Sequence, residues 1–263
     1  MPKIENFDSY LFVGPHPDDI EIGAGATAAR LAALGKKVTF LVCLDGRFGL
    51  ENAGASMTPE KLIGLRREEA LGSAGALGVT DVRFLGLCDG GFYKTGLEWE
   101  NSGDFRGQAA GEPGDTLFSS IARIIGEVKP DVVFAPDPDV ISECHTDHKN
   151  VGECVKRLAF FAPFKEIMGR YGAEPAEVKA VAFYMTSRVN RTVKTKGLLK
   201  KQLDALFSCH KSQYPEGCAD KDSIALYLKL RSAYYGVKSF SSAAEGFRVL
   251  GRTQMHCLPE AGE

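Results

Sequence analysis

Short apolar runs alternate with longer stretches of helical periodicity along most of this chain. Residues 10–13 form the first apolar run and predict a strand. Apolar positions then recur at helical spacing over residues 20–34, up to Gly35, and Lys37–Leu44 predicts a second strand. A strand, a helix and a strand in this order form a βαβ unit, whose strands lie parallel in one sheet. The pattern therefore predicts an α/β fold with a mostly parallel sheet.

The same alternation continues to the C-terminal part of the chain. Thr58 and Pro59 have the N-cap and first-turn chemistry of a helix that Gly78 ends. Further strands are predicted over residues 82–87, 131–135, 178–185 and 246–250, and further helices over 116–129, 147–161, 195–209 and 222–235. We expect one domain over residues 1–263, a Rossmann-like three-layer sandwich with its core in 1–160 and a C-terminal extension, 161–263, that completes the fold.

Residues 89–115 interrupt this regular pattern. The segment is rich in glycine, acidic and aromatic residues, and it includes Trp99, the single tryptophan of the chain. Loops of this length in a compact domain are more often functional than idle. We therefore expect it to form a lid or a wall over a functional site.

Composition narrows the range of partners. The chain has 263 residues, 44% of them hydrophobic, which is enough for a substantial core. Its 32 basic and 34 acidic residues give a formal charge of −2, and neither sign forms a long run. Such a balance favours a small-molecule substrate over nucleic acid or an acidic membrane surface.

The expected environment is the reducing cytoplasm. The first ten residues lack the apolar core of a signal peptide, and no window approaches the roughly 20 apolar residues that span a bilayer. Seven cysteines, an odd number without close pairs, argue against a disulfide framework and against a Cys-x-x-Cys zinc knuckle. We expect a soluble, cytoplasmic protein whose cysteines are reduced.

Two clusters of histidine and aspartate each follow a predicted strand. The first contains His16, Asp18 and Asp19, and the second contains His145, Asp147 and His148. In an open parallel sheet, ligands bind beyond the carboxyl ends of the strands, so the two loops can meet at one edge. The clusters therefore predict one shared site.

The side chains of the two clusters are typical of a metal hydrolase. A catalytic zinc commonly takes three ligands from His, Asp and Glu and leaves a position for water. His16, Asp19 and His148 can fill these three places, with Asp18 beside them as a general base. His145 suits a catalytic role, and Asp147 can orient a neighbouring imidazole.

Turn and capping roles are the alternative explanation of these residues. Proline and aspartate are common in turns, and aspartate caps helices well, so His16-Pro17-Asp18-Asp19 can be a simple turn. Asp147 can likewise be an N-cap or first-turn acid. Capping does not explain why histidines follow both strands, which favours the metal site.

With these motifs the sequence resembles the zinc-dependent N-deacetylases called LmbE-like or PIG-L proteins. This family includes the N-acetylglucosaminyl-phosphatidylinositol de-N-acetylase and deacetylases of the mycothiol and bacillithiol pathways. The matching motifs occur in the family's order: residues 15–19 with Glu21, Ile22 and Gly23; Arg66 with Glu69 and Leu77-Gly78; residues 85–87 with Asp89-Gly90; residues 145–148; and, more weakly, residues 210–213 and 244–247.

The resemblance implies a site and a reaction. It implies that His16, Asp19 and His148 hold zinc, or another divalent metal in the cell, and that Asp18 is the general base. It further implies that His145 assists at the oxyanion or at the leaving nitrogen. The expected reaction removes an N-acetyl group from an N-acetylglucosamine-type conjugate through a metal-activated water.

The resemblance also implies substrate-binding residues. It sets Arg66 and Asp89 against the hydroxyls of the sugar, whereas by sequence alone Arg66 fits a solvated helix face and Asp89 a turn. His210 can be a helix-terminal histidine or a residue on the substrate side. Family members often self-associate, so a homo-oligomer is expected.

Two other functions fit part of the pattern. One is a non-catalytic α/β module that binds a sugar or nucleotide, although the chain lacks a Gly-x-Gly-x-x-Gly phosphate-binding fingerprint. The other is a metal-dependent amidase or phosphoesterase that acts on another substrate.

Overall fold

The computed structural model describes residues 3–97 and 115–256, and seven strands within them form one sheet. The order is β3-β2-β1-β4-β5-β7-β6. Strands β1 to β5 run parallel, and β7 is antiparallel to both β5 and β6. The predicted α/β fold with a mostly parallel sheet is confirmed. The strands are β1 (Ser9–Gly14), β2 (Lys37–Leu44), β3 (Asp81–Leu87), β4 (Val132–Pro136), β5 (Ala180–Tyr184), β6 (Arg191–Lys194) and β7 (Ala244–Gly251).

Eight α-helices lie within the described ranges. They are α1 (Asp19–Ala33), α2 (Pro59–Leu77), α3 (Leu117–Val128), α4 (Thr146–Phe161), α5 (Lys165–Arg170), α6 (Leu199–Cys209), α7 (Ala219–Lys238) and α8 (Arg252–His256). The pattern missed the short elements α5, β6 and α8, which have too few residues for a clear period. It also began α6 four residues early, because Gly197 adopts a φ of +79° that a helix does not allow.

The sheet is buried on both faces, which explains its continuous apolar strands. Leu11 and Val13 of β1 point to the side covered by α3 and α4, and Tyr10 and Phe12 point to the side covered by α1 and α2. Successive side chains of a strand alternate between faces, so one short run supplies both cores. The result is the predicted three-layer arrangement, with the loops after β1 and β4 leaving the same edge.

The C-terminal segment shapes the helix that carries the first cluster. Helix α1 has a non-helical residue, Ala24, at φ −150° and ψ 16°. Beyond this kink, the carboxylate of Glu245 on β7 accepts hydrogen bonds from the N–H groups of Ala26 and Thr27, at 3.3 and 2.7 Å. Residues after 160 therefore belong to the same sheet and support α1, while the single-domain organisation of residues 1–263 stays a prediction.

No helix in the two described ranges is both long enough and apolar enough to cross a membrane. Most of the segment predicted to form a lid or a wall, including Trp99, lies outside the described residues.

Candidate metal centre and active site

The two clusters meet at the carboxyl edge of neighbouring strands. β1 pairs with β4 in parallel, so the loops after Gly14 and Pro136 leave the sheet side by side. Ligand atoms of His16, His145 and His148 lie within 4.8 Å of one another. The two clusters are about 130 positions apart in the sequence. The fold brings them together, as predicted.

Asp19 lies between two of these imidazoles. One carboxylate oxygen is 3.1 Å from Nδ1 of His16, and the other is 3.4 Å from Nε2 of His148. Tetrahedral ligands at zinc bond lengths of about 2.0–2.1 Å are themselves separated by about 3.3 Å. The two contacts of Asp19 thus have the spacing of neighbouring ligands around one small cation, and a donor set of two imidazoles and one carboxylate fits zinc.

A second carboxylate stands behind each of these two imidazoles. Nε2 of His16 is 3.0 Å from Asp147, and Nδ1 of His148 is 3.0 Å from Glu143. Carboxylates in this position fix the tautomer and direction of metal-bound histidines, and here they leave Nδ1 of His16 and Nε2 of His148 free for a metal. Glu143 was not predicted, because only the folded loop brings it back onto His148.

Asp147 is fully buried and does not line the cavity. Its carboxylate accepts hydrogen bonds from the N–H groups of Gly90 and Gly91 at 2.8 and 2.9 Å, and from the hydroxyl of Tyr93 at 3.0 Å. Burial opposes its charge, but the hydrogen bonds from His16 and Gly90 lower the pKa of Asp147 to about 2. Asp147 is a first-turn acid of α4 that orients His16.

Asp18 has a strained backbone beside the cluster. It occupies the N-cap position of α1 but makes no capping hydrogen bond, and its φ is 121°, a value that favours glycine. Its carboxylate lines the cavity and accepts a hydrogen bond from the hydroxyl of Tyr214 at 2.8 Å. Burial, followed by the negative charge of Asp19, raises the pKa of Asp18 to about 6. Asp18 therefore stands at the N-cap position without the side-chain hydrogen bond of a capping aspartate.

His145 differs from the other two histidines. Its ring stacks on that of His148 with the centroids 4.7 Å apart, and Nδ1 accepts the N–H of Asp147 at 3.3 Å as the N-cap of α4. In neutral imidazole the proton then resides on Nε2. Burial and the positive charges of His16 and His148 lower the pKa of His145, which favours this neutral form.

Two ligand sets are compatible with these positions. The three histidines converge, but His145 is half-exposed and already accepts a backbone hydrogen bond through Nδ1. Asp19 is buried, and its carboxylate contacts both His16 and His148. We favour the set with Asp19, because its two oxygens lie between the imidazoles and its charge offsets that of a divalent cation.

A cavity of about 480 Å³ opens beside the cluster. Both predicted substrate-binding residues, Arg66 and Asp89, line it together with Asp18 and His145. The wall also contains Gln213 of the weaker family match and five residues that the sequence did not indicate: Phe48, Glu51, Asn52, Tyr214 and Asp220.

Arg66 is buried, so its alternative explanation as part of a solvated helix face is wrong. Its guanidinium occupies space left by two glycines, because a Cβ atom would lie 2.6 Å from it at Gly46 and 2.2 Å from it at Gly49. Within the described residues, Nε of Arg66 and Oδ1 of Asp89 have no hydrogen-bond partner. Buried polar atoms are nearly always paired, so these two atoms are an exception within the described residues.

The loop after α6 connects the cavity to α1 and α2. His210 is buried and lies 3.4 Å from Glu21, and Ser212 donates hydrogen bonds to Glu69 at 2.6 and 2.8 Å. His210 does not itself line the cavity, and its contact with Glu21 joins this loop to α1. The sequence match to the family in this loop ended at Gln213, one residue before Tyr214.

Together the fold and the cluster define a class: an α/β protein with a candidate metal centre beyond the carboxyl ends of its parallel strands. The chain belongs to the PIG-L family, since the family model described as GlcNAc-PI de-N-acetylase matches residues 11–159, more than half of its length. The family predicted from the motifs is confirmed.

Two curated relatives are similar over much of the chain. A diacetylchitobiose deacetylase of Thermococcus kodakarensis is 29% identical over 254 residues, which cover 95% of this chain and 86% of the relative. A 1D-myo-inositol 2-acetamido-2-deoxy-alpha-D-glucopyranoside deacetylase of Kineococcus radiotolerans is 36% identical over 195 residues, or 69% of this chain. The chain spans about half of that second protein, 54% of its length.

A solved structure has the same fold over nearly the whole chain. The N,N'-diacetylchitobiose deacetylase from Pyrococcus horikoshii, complexed with its inhibitor MPG, superposes with a TM-score of 0.78 and 27% sequence identity. The match covers 97% of this chain and 88% of that one. All three of these proteins are named as deacetylases, the enzyme class predicted from the motifs.

Proposed function

We propose that this chain is a metal-dependent hydrolase that removes the acetyl group from an N-acetylglucosamine-type conjugate. The observation that carries the proposal is the position of Asp18, a buried carboxylate that lines the cavity directly beside Asp19. A base next to a metal centre is the arrangement that hydrolyses unactivated amides. The named relatives, deacetylases of acetylated amino sugars, support the substrate class.

The residues that would hold the metal are His16, Asp19 and His148, with zinc as the favoured ion and another divalent metal as an alternative in the cell. A bound zinc ion would supply Lewis-acid chemistry by polarising the amide carbonyl and by making water more acidic. Asp147 and Glu143 would hold the two imidazoles in their ligating orientation.

Side chains of the cavity carry out the proton transfers of amide hydrolysis and stabilise its intermediate. Asp18 accepts a proton from the attacking water while the oxygen of that water bonds to the acetyl carbon. The N–H at Nε2 of His145 donates a hydrogen bond to the oxyanion of the tetrahedral intermediate. The C–N bond then breaks, Asp18 passes the proton that it took from the water to the leaving nitrogen, and acetate and a free amine result.

Recognition of the sugar falls to Arg66 and Asp89. The guanidinium donates hydrogen bonds and the carboxylate accepts them, which together suit vicinal hydroxyl groups. Both side chains line the cavity, so a sugar bound there would meet one guanidinium and one carboxylate.

The proposal extends to the cellular setting. None of the six cysteines within the described residues is in a disulfide, and we propose a cytoplasmic location for the protein. We also propose that the protein forms a homo-oligomer.

A substrate panel tests the proposal. Purified protein is analysed for metal content and then incubated with N-acetylglucosamine conjugates, with free amine and acetate as the readouts. We expect a near-stoichiometric divalent ion and equal amounts of amine and acetate. Metal-free protein that binds a sugar without turnover would favour the binding module, and activity on a phosphoester alone would overturn the substrate class.

A further inference from the structure

Helix α7 has a buried face and an apolar exposed face. Leu228, Ser232 and Gly236 are buried against the rest of the protein. On the opposite side, six large apolar side chains are between 50% and 96% exposed, and we call them the α7 outer face: Leu226, Tyr227, Leu230, Tyr234, Val237 and, two residues past the helix end, Phe240. Contiguous apolar patches of this kind mark interaction sites.

The outer face has the spacing of a helix-pairing seam. Its central line on the helix runs through positions 226, 230, 233 and 237, with steps of four, three and four residues. Residue sizes along this line are symmetric, since large side chains flank the small Ala233 on both sides. In an antiparallel pair with its two-fold axis close to Ala233, Leu230 comes within one position of the partner's Val237, since the two lie three and four residues from that axis. The pattern is therefore complementary to itself.

The exposed area is sufficient for a stable dimer. The exposed fractions of the six side chains add up to about four whole side chains. At roughly 200 Å² for each, this corresponds to ~800 Å², the area that each partner contributes to a standard-size interface.

A groove and a protruding ring lie on the same face. Tyr227, Leu230 and Tyr234 line a groove of about 300 Å³. Phe240 has a φ of 53° and is 96% exposed, so that the backbone turn presents its ring to solvent. A two-fold pairing requires a patch that fits a second copy of itself, and a groove beside a protruding ring meets that requirement.

Basic residues of α7 lie close to the outer face, but they do not make it an anion-binding site. The guanidinium of Arg231 turns inward, where it donates to the carbonyl of Ile22 and lies 3.7 Å from Glu245. The ammonium group of Lys238 lies 4.4 Å from the ring centroid of Tyr234. Lys229 is exposed one turn before Ala233, but six large apolar side chains surround this single ammonium group, so apolar contact makes up most of the face.

We infer that two copies of this chain associate through the α7 outer face, antiparallel about an axis close to Ala233. The inference rests on α7 alone and stands whether or not the chain is a deacetylase. It specifies which surface is covered and which residues meet across the axis.

Sedimentation velocity over a range of protein concentrations tests the association. We expect wild-type protein to be a dimer or a larger even-numbered assembly, and Leu230→Glu and Val237→Glu to sediment as monomers. Both side chains are mostly exposed in the protomer, so the variants should keep the wild-type melting profile of the dissociated protein. Leu71→Glu is the matched control, because Leu71 is 38% exposed on α2 and should leave the assembly intact.

Chemical cross-linking tests the position of the axis. A short bis-maleimide should join Ala233→Cys protomers in much higher yield than wild-type protein, whose native cysteines set the background. A monomeric wild-type protein would overturn the inference, including one that binds lipid vesicles through this face. A dimer that survives both glutamate substitutions, or Ala233→Cys cross-linking at the background level, would overturn it as well.

Discussion

The hydroxyl of Tyr214 donates a hydrogen bond to the carboxylate of Asp18 over 2.8 Å. The two residues are 196 positions apart, and the bond joins the loop after α6 to the strained start of α1. It directs the carboxylate of Asp18, whose backbone conformation is itself unfavourable. Tyr214 is thus a positioning residue for the proposed base.

Removal of the Tyr214 hydroxyl should slow turnover without loss of metal. We expect Tyr214→Phe to lower kcat about 10-fold, equivalent to ~1.4 kcal/mol in the barrier, with KM and metal content near wild type. Tyr10→Phe is the control, since it also removes a buried hydroxyl, one that binds the carbonyls of Ile4 and Phe7. A changed KM with unchanged kcat would instead make Tyr214 a substrate contact.

Asp18 should be needed for turnover but not for metal. Because it lies outside the favoured ligand set, Asp18→Ala and Asp18→Asn should keep the metal and lose about 10²–10⁴-fold in kcat. Metal analysis and steady-state kinetics on the same preparation measure both quantities. Wild-type rates in either variant would refute the assignment of Asp18 as the base.

The two ligand sets differ in their dependence on Asp19 and His145. If Asp19 is a ligand, Asp19→Ala and His148→Ala should lower metal affinity by more than the roughly 10–100-fold that loss of an outer hydrogen-bond partner costs, while His145→Ala keeps metal and loses kcat. Competition with a chelator of known affinity gives the three values. The reverse result, with metal lost in His145→Ala and retained in Asp19→Ala, would select the three-histidine set.

Glu143 should tune the metal site from behind His148. We expect Glu143→Gln to weaken metal binding by about 10–100-fold. The neutral amide of glutamine would accept a weaker hydrogen bond from the His148 imidazole than the carboxylate does. Glu153→Gln is the matched control, since Glu153 is on α4 and pairs with Arg157. Equal metal affinity in both variants would mean that Glu143 does not support the ligand.

Gly49 should control where the guanidinium of Arg66 lies. A methyl group there would approach Nη2 to 2.2 Å, so Gly49→Ala must displace the guanidinium from its present position. We expect KM to rise about tenfold, or ~1.4 kcal/mol of binding free energy, with metal content unchanged. Gly64→Ala on α2, where no atom lies within 4 Å of the added methyl, should leave KM as in wild type.

The sequence predicted those strands and helices that depend on the pattern of neighbouring residues. A strand buried on both faces must be apolar along its whole length, and helices show their period, so β1, β2 and α4 could be recognised from side chains alone. Short elements such as β6 and α8 were not predicted, because so few residues show no measurable hydrophobic period. The predicted mostly parallel sheet also implied that the loops after β1 and β4 share one edge.

The sequence by itself determined the reactive groups: His16, Asp18 and Asp19 after one strand, and His145 and His148 after another. Metal ligands and bases need particular atoms at short spacing, and short spacing is visible in a sequence. Tertiary structure alone decided which groups stand behind them, since Glu143 reaches His148 through a folded loop and Tyr214 reaches Asp18 from a distant one. Hydrogen bonds of this kind depend on positions in space to within a fraction of an ångström, and distance along the chain does not encode them.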